Sequence, residues 1–367
     1  MGESFKVVIS DTHIGEGVYL ENGQLNSLEN FTRDGKLVEL LTTYDADKIG
    51  ADEVEFVANG DFLDLLQVPV DGGFPDKLEA AFVIAQLDKV YRGHLGLFKF
   101  IAKWLKNPKH KFRYIVGNHD MGLALAEAHR YFFTKLLEID PERYTEYNKF
   151  RYIGDNFHIE HGQQGESLWH VDEENAAQII DAPWGYYWIT HLLNPVKQDC
   201  PYLDVVRPIP AWIFRTLFSK PIWLTGLGLK ISWFVIYNAL FNKNMSVKSK
   251  FRPTYSILRK SVGQSTLEGR AEMILREMSE AIEAKSEGLV VLAHNHKAGY
   301  KRIPDLGEYF NSGTWCSIVS LYTESIGTRR QLNYILMRKK DEPGAVWHGQ
   351  LRLWHGTPVI DELVLPA

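Results

Sequence analysis

Five short apolar runs in this chain are each followed at once by a side chain able to bind a metal, and no other feature constrains its fold as much. Residues 6–10 lead into Asp11-Thr12-His13, residues 53–59 into Gly60-Asp61-Phe62-Leu63-Asp64, and residues 112–116 into Gly117-Asn118-His119-Asp120. Residues 157–160 lead into His161-Gly162, and residues 289–293 into His294-Asn295-His296. β-Branched and aromatic runs of this length read as strands, and segments of helical period lie between them, which predicts a layered α/β fold. Ligands in such folds bind beyond the C-terminal ends of the strands, so five ends of this kind point to one pocket. An isolated Asp11 or Asp61 would ordinarily be a turn or helix-cap residue, and Gly117-Asn118 alone a turn. Reading the whole set that way requires five coincidences.

Spacing adds to the case. In 11–13 and 294–296 the functional residues stand at i and i+2, so an extended backbone would point both toward a common centre. Carboxylate, carboxamide and imidazole without thiolate suit Mn²⁺, Fe or Zn²⁺ better than Mg²⁺ or Ca²⁺. The candidates Asp11, His13, Asp61, Asn118, His161, His294 and His296 are more than one such ion takes. Two transition-metal ions sharing one carboxylate use them all, and two ions about 3.5–4 Å apart are the usual apparatus for displacement at phosphorus.

The order DxH, GDxxD, GNHD, HG, HxH resembles the metallophosphoesterases, or calcineurin-like phosphoesterases, over roughly residues 5–164 and 285–316. That resemblance implies a two-sheet βαβ sandwich with a dimetal site at one edge. It also implies roles. Asp11, His13, Asp61 and His296 would hold the first metal, with manganese expected ahead of iron or zinc. Asp61 would bridge to a second held by Asn118, His161 and His294. His119 would stand by the scissile phosphate without binding metal, oriented by Asp64, whose charge should favour the protonated ring. Within the superfamily there is a partial resemblance to the UDP-diacylglucosamine hydrolases. The chain departs from them at His119, where they carry Arg, and at Gln163, where they carry Asp.

Residues 165–255 break the strand–helix alternation and hold six of the ten Trp, so they read as an inserted, mainly helical hydrophobic cap between core segments 1–164 and 256–367. Helical faces are expected at Leu78, Ala81, Phe82 and Ala85, at Phe98, Ile101, Ala102 and Leu105, and over residues 267–285. Antiparallel strands are expected at 309–310, 332–338 and 346–354. Only Cys200 and Cys316 are present, which excludes a disulfide framework or thiolate zinc site and fits a reducing, cytoplasmic setting. Residues 1–6 run straight into Val7-Val8-Ile9, so no secretory signal is expected.

The formal charge of −5 argues against a dedicated nucleic-acid binder, but it hides an asymmetry. Residues 205–267 contain ten Lys or Arg and no Asp or Glu, leaving −15 for the rest of the chain. The cations are Arg207, Arg215, Lys220, Lys230, Lys243, Lys248, Lys250, Arg252, Arg259 and Lys260, interleaved with Trp212, Phe214, Phe218, Trp223, Trp233, Phe234, Tyr237 and Phe241. Rings and cations in this mixture suit a lipid headgroup interface. Residues 221–241 are long enough to span a bilayer, but a central Lys230 costs at least ~2.5 kcal/mol on insertion scales. A peripheral contact with an anionic membrane, on its inner face, is expected instead. The expected activity is hydrolysis of a phosphodiester or pyrophosphate bond in a phosphorylated small-molecule or lipid-linked substrate. A nucleotide or nucleic-acid phosphodiesterase is the rival, followed by a non-catalytic scaffold, which the intact set of metal positions disfavours.

Overall fold

Val7, Val8 and Ile9 are all fully buried, although neighbouring side chains of a strand point to opposite faces. A run without polar alternation is stable only where both faces are covered. The computed structural model provides that cover. It describes residues 2–144, 147–166, 168–171, 173, 180–242, 250, 267–281, 287–322, 326–329 and 331–356. The main strands are β1 (Glu3–Ile9), β2 (Glu53–Asn59), β3 (His110–Ile115), β4 (Arg151–Ile153), β5 (Phe157–Glu160), β6 (Gly288–Leu292), β7 (Gly299–Ile303), β8 (Gly307–Asn311), β9 (Asn333–Lys340) and β10 (His348–Leu353). The longer helices are α1 (Asp34–Thr43), α2 (Ala80–Gly93), α3 (Leu95–Trp104), α4 (Ile209–Ser219), α5 (Pro221–Leu240) and α6 (Leu267–Ala281).

One sheet runs β10-β9-β1-β2-β3, with β1, β2 and β3 parallel and β9 antiparallel to both β1 and β10. The other runs β7-β8-β6-β5-β4, parallel through β8, β6 and β5 and antiparallel at both edges. Val8 lies in register with Val57 and Ile335. These three pack with Ile115 and Met337 against Phe157, Ile159, Leu289, Val291 and Phe310 of the second sheet. Val7, Ile9, Phe56 and Tyr114 face the opposite way, under α1, α2 and α3. Val290 and Leu292 lie under Ala271, Ile274 and Leu275 of α6. The result is a four-layer α/β/β/α sandwich, the expected α/β two-sheet class.

Two expectations need correction. The buried stripe of α2 is Val83, Gln86, Leu87 and Val90, with Ala81 exposed, instead of the face through Ala81 and Phe82. Polar Gln86 hides the true stripe because its amide donates to the Leu65 and Val68 carbonyls, and Leu78 belongs to the short strand Lys77–Leu78 before the helix. Second, β8 is antiparallel to β7 but parallel to β6, since a strand inside a mixed sheet meets both kinds of neighbour. The hairpin of β9 and β10 is antiparallel as expected.

The segment expected as a cap is mainly helical where described, with a helical run over 184–197 followed by α4 and α5. Phe234 of α5 packs edge-on against Trp184 and Trp188, and Trp184, Tyr186 and Tyr187 belong to the same hydrophobic core as Val83 of α2 and Phe98 of α3. Ile180–Asp181 pairs with Lys77–Leu78, and Val206–Arg207 runs parallel to Ile318–Ser320, so two strand pairings tie the segment to the core segments. α4 and α5 expose Phe214, Phe218, Leu229, Trp233 and Leu240, and Ile222 is 88% exposed. Among the described residues no helix is long and apolar enough to cross a membrane. Lys243, Lys248, Arg252, Arg259 and Lys260, and the start of the expected second core segment at 256, lie outside the described residues.

Candidate metal centre

The backbone turns sharply where the strands end. Asp11, His13, Asp61, His294 and His296 all have φ between 50° and 73°, the left-handed region, and are five of the eight non-glycine residues there among those described. Each such residue costs on the order of 1–3 kcal/mol and persists only where the surroundings enforce it. The extended i, i+2 geometry expected at 11–13 and 294–296 is therefore wrong in detail. β1 stops at Ile9 and β6 at Leu292, so left-handed turns bring these side chains together. Hydrogen bonds from the Asp11, His13 and Ile14 N–H groups to the Gly60, Asp61 and Phe62 carbonyls knit the first two turns into one unit.

Two glycines make the approach possible. A Cβ on Gly60, whose φ is 76°, would stand 2.4 Å from the His161 ring, and one on Gly117 would stand 2.2 Å from the Asp61 carboxylate.

The sequence-predicted residues meet. Ligand-capable atoms of Asp11, His13 and His296 lie within 4.8 Å of one another, as do those of Asp61, His161 and His294. A third such group joins His13, Asp61 and His119, so Asp61 belongs to two groups. Asp61 Oδ2 is 3.2 Å from His161 Nε2, and its Oδ1 accepts the His119 N–H at 2.7 Å. His13 Nε2 and His296 Nε2 are 3.2 Å apart, and His296 Nε2 is 3.2 Å from Asp11 Oδ1. Asp64 takes both neighbouring rings, His119 Nδ1 at 2.8 Å and His13 Nδ1 at 3.2 Å. His161 Nδ1 donates to the Asn59 carbonyl at 2.9 Å, which turns Nε2 toward Asp61. Asn118 lines the same cavity.

Charge follows this packing. Burial opposes ionisation of Asp61, but His161 and His119 outweigh it and hold the carboxyl well below its ordinary range. Asp64 is lowered by His119 and His13 against the same burial. Burial alone would neutralise His119; Asp64 and Asp61 raise it to about 9 instead. Asp61 and Asp11 likewise raise His161 to about 10 against burial.

The residues fit a pair of divalent ions. Among the described residues, eleven buried side-chain nitrogen or oxygen atoms lack a hydrogen-bond partner, and Asp11 Oδ1, Asn118 Oδ1, His161 Nε2 and His294 Nδ1 are four of them. Each such atom costs roughly 1–3 kcal/mol, so four in one place describe a site shaped for electron-pair acceptors. The donor set is oxygen and imidazole nitrogen throughout, and fixed outer nitrogens on His13 and His161 are how metal-binding rings are usually oriented.

Several contributors escaped sequence reasoning. Asp120 accepts from the N–H groups of Gly117 at 2.6 Å and Phe62 at 2.9 Å and from the Tyr114 hydroxyl at 2.6 Å, so it clamps the second turn to the third. Burial and Asp61 raise its pKa to about 6. Its place in the GNHD motif was the available signal. Asn59 acts through its main chain and leaves no signal. Gln163 donates to the Val116 carbonyl at 2.8 Å, and a carboxylate there would face that carbonyl without a proton to give.

A cavity of about 670 Å³ opens from this centre. His13, Asp61, His119 and His296 line one end; Trp188, Leu192, Trp212, Leu224, Leu227 and Ile231 line much of the rest. Trp169 stands beside His119, ring centroids 6.0 Å apart.

A family model described as calcineurin-like phosphoesterase matches residues 7–239. A solved dimetal phosphatase from Danio rerio is similar at 10% identity and a TM-score of 0.34, over 95% of this chain and 98% of that one, a superposition too loose to transfer any property. No curated protein matches the chain.

Proposed function

Because the chain belongs to the calcineurin-like phosphoesterase family, whose members are metal-dependent phosphoester hydrolases, we propose that it cleaves a phosphodiester or pyrophosphate bond in an amphipathic, lipid-linked substrate taken from an anionic membrane surface. The family implies two divalent ions. In this reading Asp11, His13, Asp61 and His296 hold one and Asn118, His161 and His294 the other, with Asp61 shared and manganese preferred over iron or zinc. When bound, such a pair supplies a water acidified toward neutrality and positive charge opposite the phosphoryl oxygens.

The chain's own residues do the rest. His119, held through Nδ1 by Asp64, has Nε2 left to protonate the leaving oxygen. The His119 N–H on Asp61 Oδ1 keeps the shared carboxylate from rotating. The observation that carries the lipid part is the apolar cavity continuous with the metal-facing residues. Exposed Phe214, Phe218, Ile222 and Trp233 beside Arg215, Lys220 and Lys230 support the membrane part.

Hydrolysis of bis(p-nitrophenyl) phosphate with added Mn²⁺ tests the chemistry. Wild type turns over, and on a diester with an alkoxide leaving group, which needs a proton that p-nitrophenolate does not, His119→Ala loses about 10²–10⁴-fold in kcat; equal rates on that diester, or no turnover by either, contradict the assignment. Sedimentation with anionic vesicles at physiological salt tests the substrate class. A protein that stays in the supernatant and hydrolyses nucleotide diesters is the rival phosphodiesterase.

A further inference from the structure

We infer that Arg207 reads a second anionic group on the substrate, apart from the scissile phosphate; this deepens the proposed function and rests on it. Among the described residues lining the cavity, Arg207 is the single Lys or Arg. Its backbone is fixed, because Val206–Arg207 pairs with Ile318–Ser320, a strand just beyond Cys316, which lines the same cavity. Its Nη1 donates to the Asp204 and Val206 carbonyls at 2.9 and 2.8 Å, which sets the guanidinium plane. Nε and Nη2 have no partner among the described residues.

The neighbouring carboxylate does not use up this charge. Asp204 Oδ2 is 2.6 Å from Nζ of the wholly buried Lys197, which also donates to Gln67 Oε1 at 2.8 Å. One carboxylate therefore stands between two cations, and the trio keeps one positive charge. Burial lowers the pKa of Arg207 only against the pull of Asp204 and Tyr322, and a guanidinium remains charged. A half-buried cation with two open donors, in a cavity whose lining away from the metal-facing residues is largely Trp, Leu and Ile, suits the planar, two-oxygen face of a phosphate or carboxylate.

The substrate class thus narrows to molecules with an apolar chain and two anionic groups, one cleaved and one bound.

Calorimetric binding of three amphiphiles below their micelle concentrations, to the metal-loaded full chain, tests this. Dodecyl phosphate carries one anionic group, dodecyl methylenediphosphonate, whose P–C–P bridge resists hydrolysis, a second phosphoryl, and N-dodecanoyl-O-phosphoserine a carboxylate. Arg207→Met and Arg207→Gln, the latter keeping an amide donor for the two carbonyls, should weaken one or both of the doubly anionic ligands about 10- to 100-fold. Dodecyl phosphate should change by less than about threefold. Whichever doubly anionic ligand responds identifies the group read. Equal losses on all three ligands, or none, overturn the inference, with unchanged melting temperatures showing that the variants are folded. Wild-type turnover of bis(p-nitrophenyl) phosphate is followed in parallel: its absence counts against the proposed function, whereas turnover with unselective Arg207 variants sinks only this inference.

Discussion

Gly60 shows how tightly single residues set this centre. It has a left-handed φ, and its missing side chain leaves the space that the His161 ring fills. Gly60→Ala should displace that ring, lower metal content by one ion per chain and cut turnover by about 10²-fold or more, since displacements near 1 Å cost that much; elemental analysis with normal stoichiometry would contradict this. Ligand binding also has a proton cost. Because Asp61 and Asp11 raise His161 to about 10, the ring is charged at pH 7 and must deprotonate before Nε2 can coordinate. Metal uptake should therefore release protons and tighten as pH rises, which calorimetry in buffers of different ionisation enthalpy would measure. The side chains in these effects were legible because each follows an apolar run in the local sequence. Asn59 was not, because a carbonyl that orients His161 across 102 positions has no residue-type signature.

Among the elements, the helices over the first sheet meet at a buried ion cluster with no catalytic part. His94 sits between α2 and α3, with Nδ1 2.7 Å from Asp34 at the start of α1 and Nε2 3.5 Å from Glu29. Burial would lower its pKa, but Asp34 and Glu29 raise it to about 9. A folded-state pKa above the unfolded value of about 6.5 gives stability that is full below pH ~6.5 and lost as pH rises toward 9. The contribution is about 3 kcal/mol. Denaturation at pH 6 and pH 9 should show wild type losing more stability over that interval than His94→Gln, and parallel losses would refute it. No sequence pattern marks His94, because its carboxylate partners come from separate segments. The α2 stripe was misread for a related reason: Gln86 is polar by type, yet buried because it serves two carbonyls.

For the whole molecule, the strands and their convergence on one pocket were legible in the apolar runs, because a strand hidden on both faces has no polar alternation, whereas the strand order was not. Nor was the link between the inserted segment and the core segments, since Val206–Arg207 and Ile318–Ser320 are short strands from distant stretches. That link leaves α4 and α5 with one face against the cavity and another in solvent. Replacing exposed Phe214, Phe218 and Trp233 with Ser should reduce sedimentation with anionic vesicles about tenfold or more, at roughly 0.8 kcal/mol per buried CH₂, while soluble diester turnover stays within about twofold. Vesicle binding equal to wild type would remove the membrane role. The claim beneath all of this is that Asp61 is shared by two ions. Elemental analysis of manganese-loaded protein tests it most directly: we predict two ions per chain in wild type, one in His161→Ala and at most one in Asp61→Ala, whereas fewer than one in wild type, or two retained by Asp61→Ala, would contradict it.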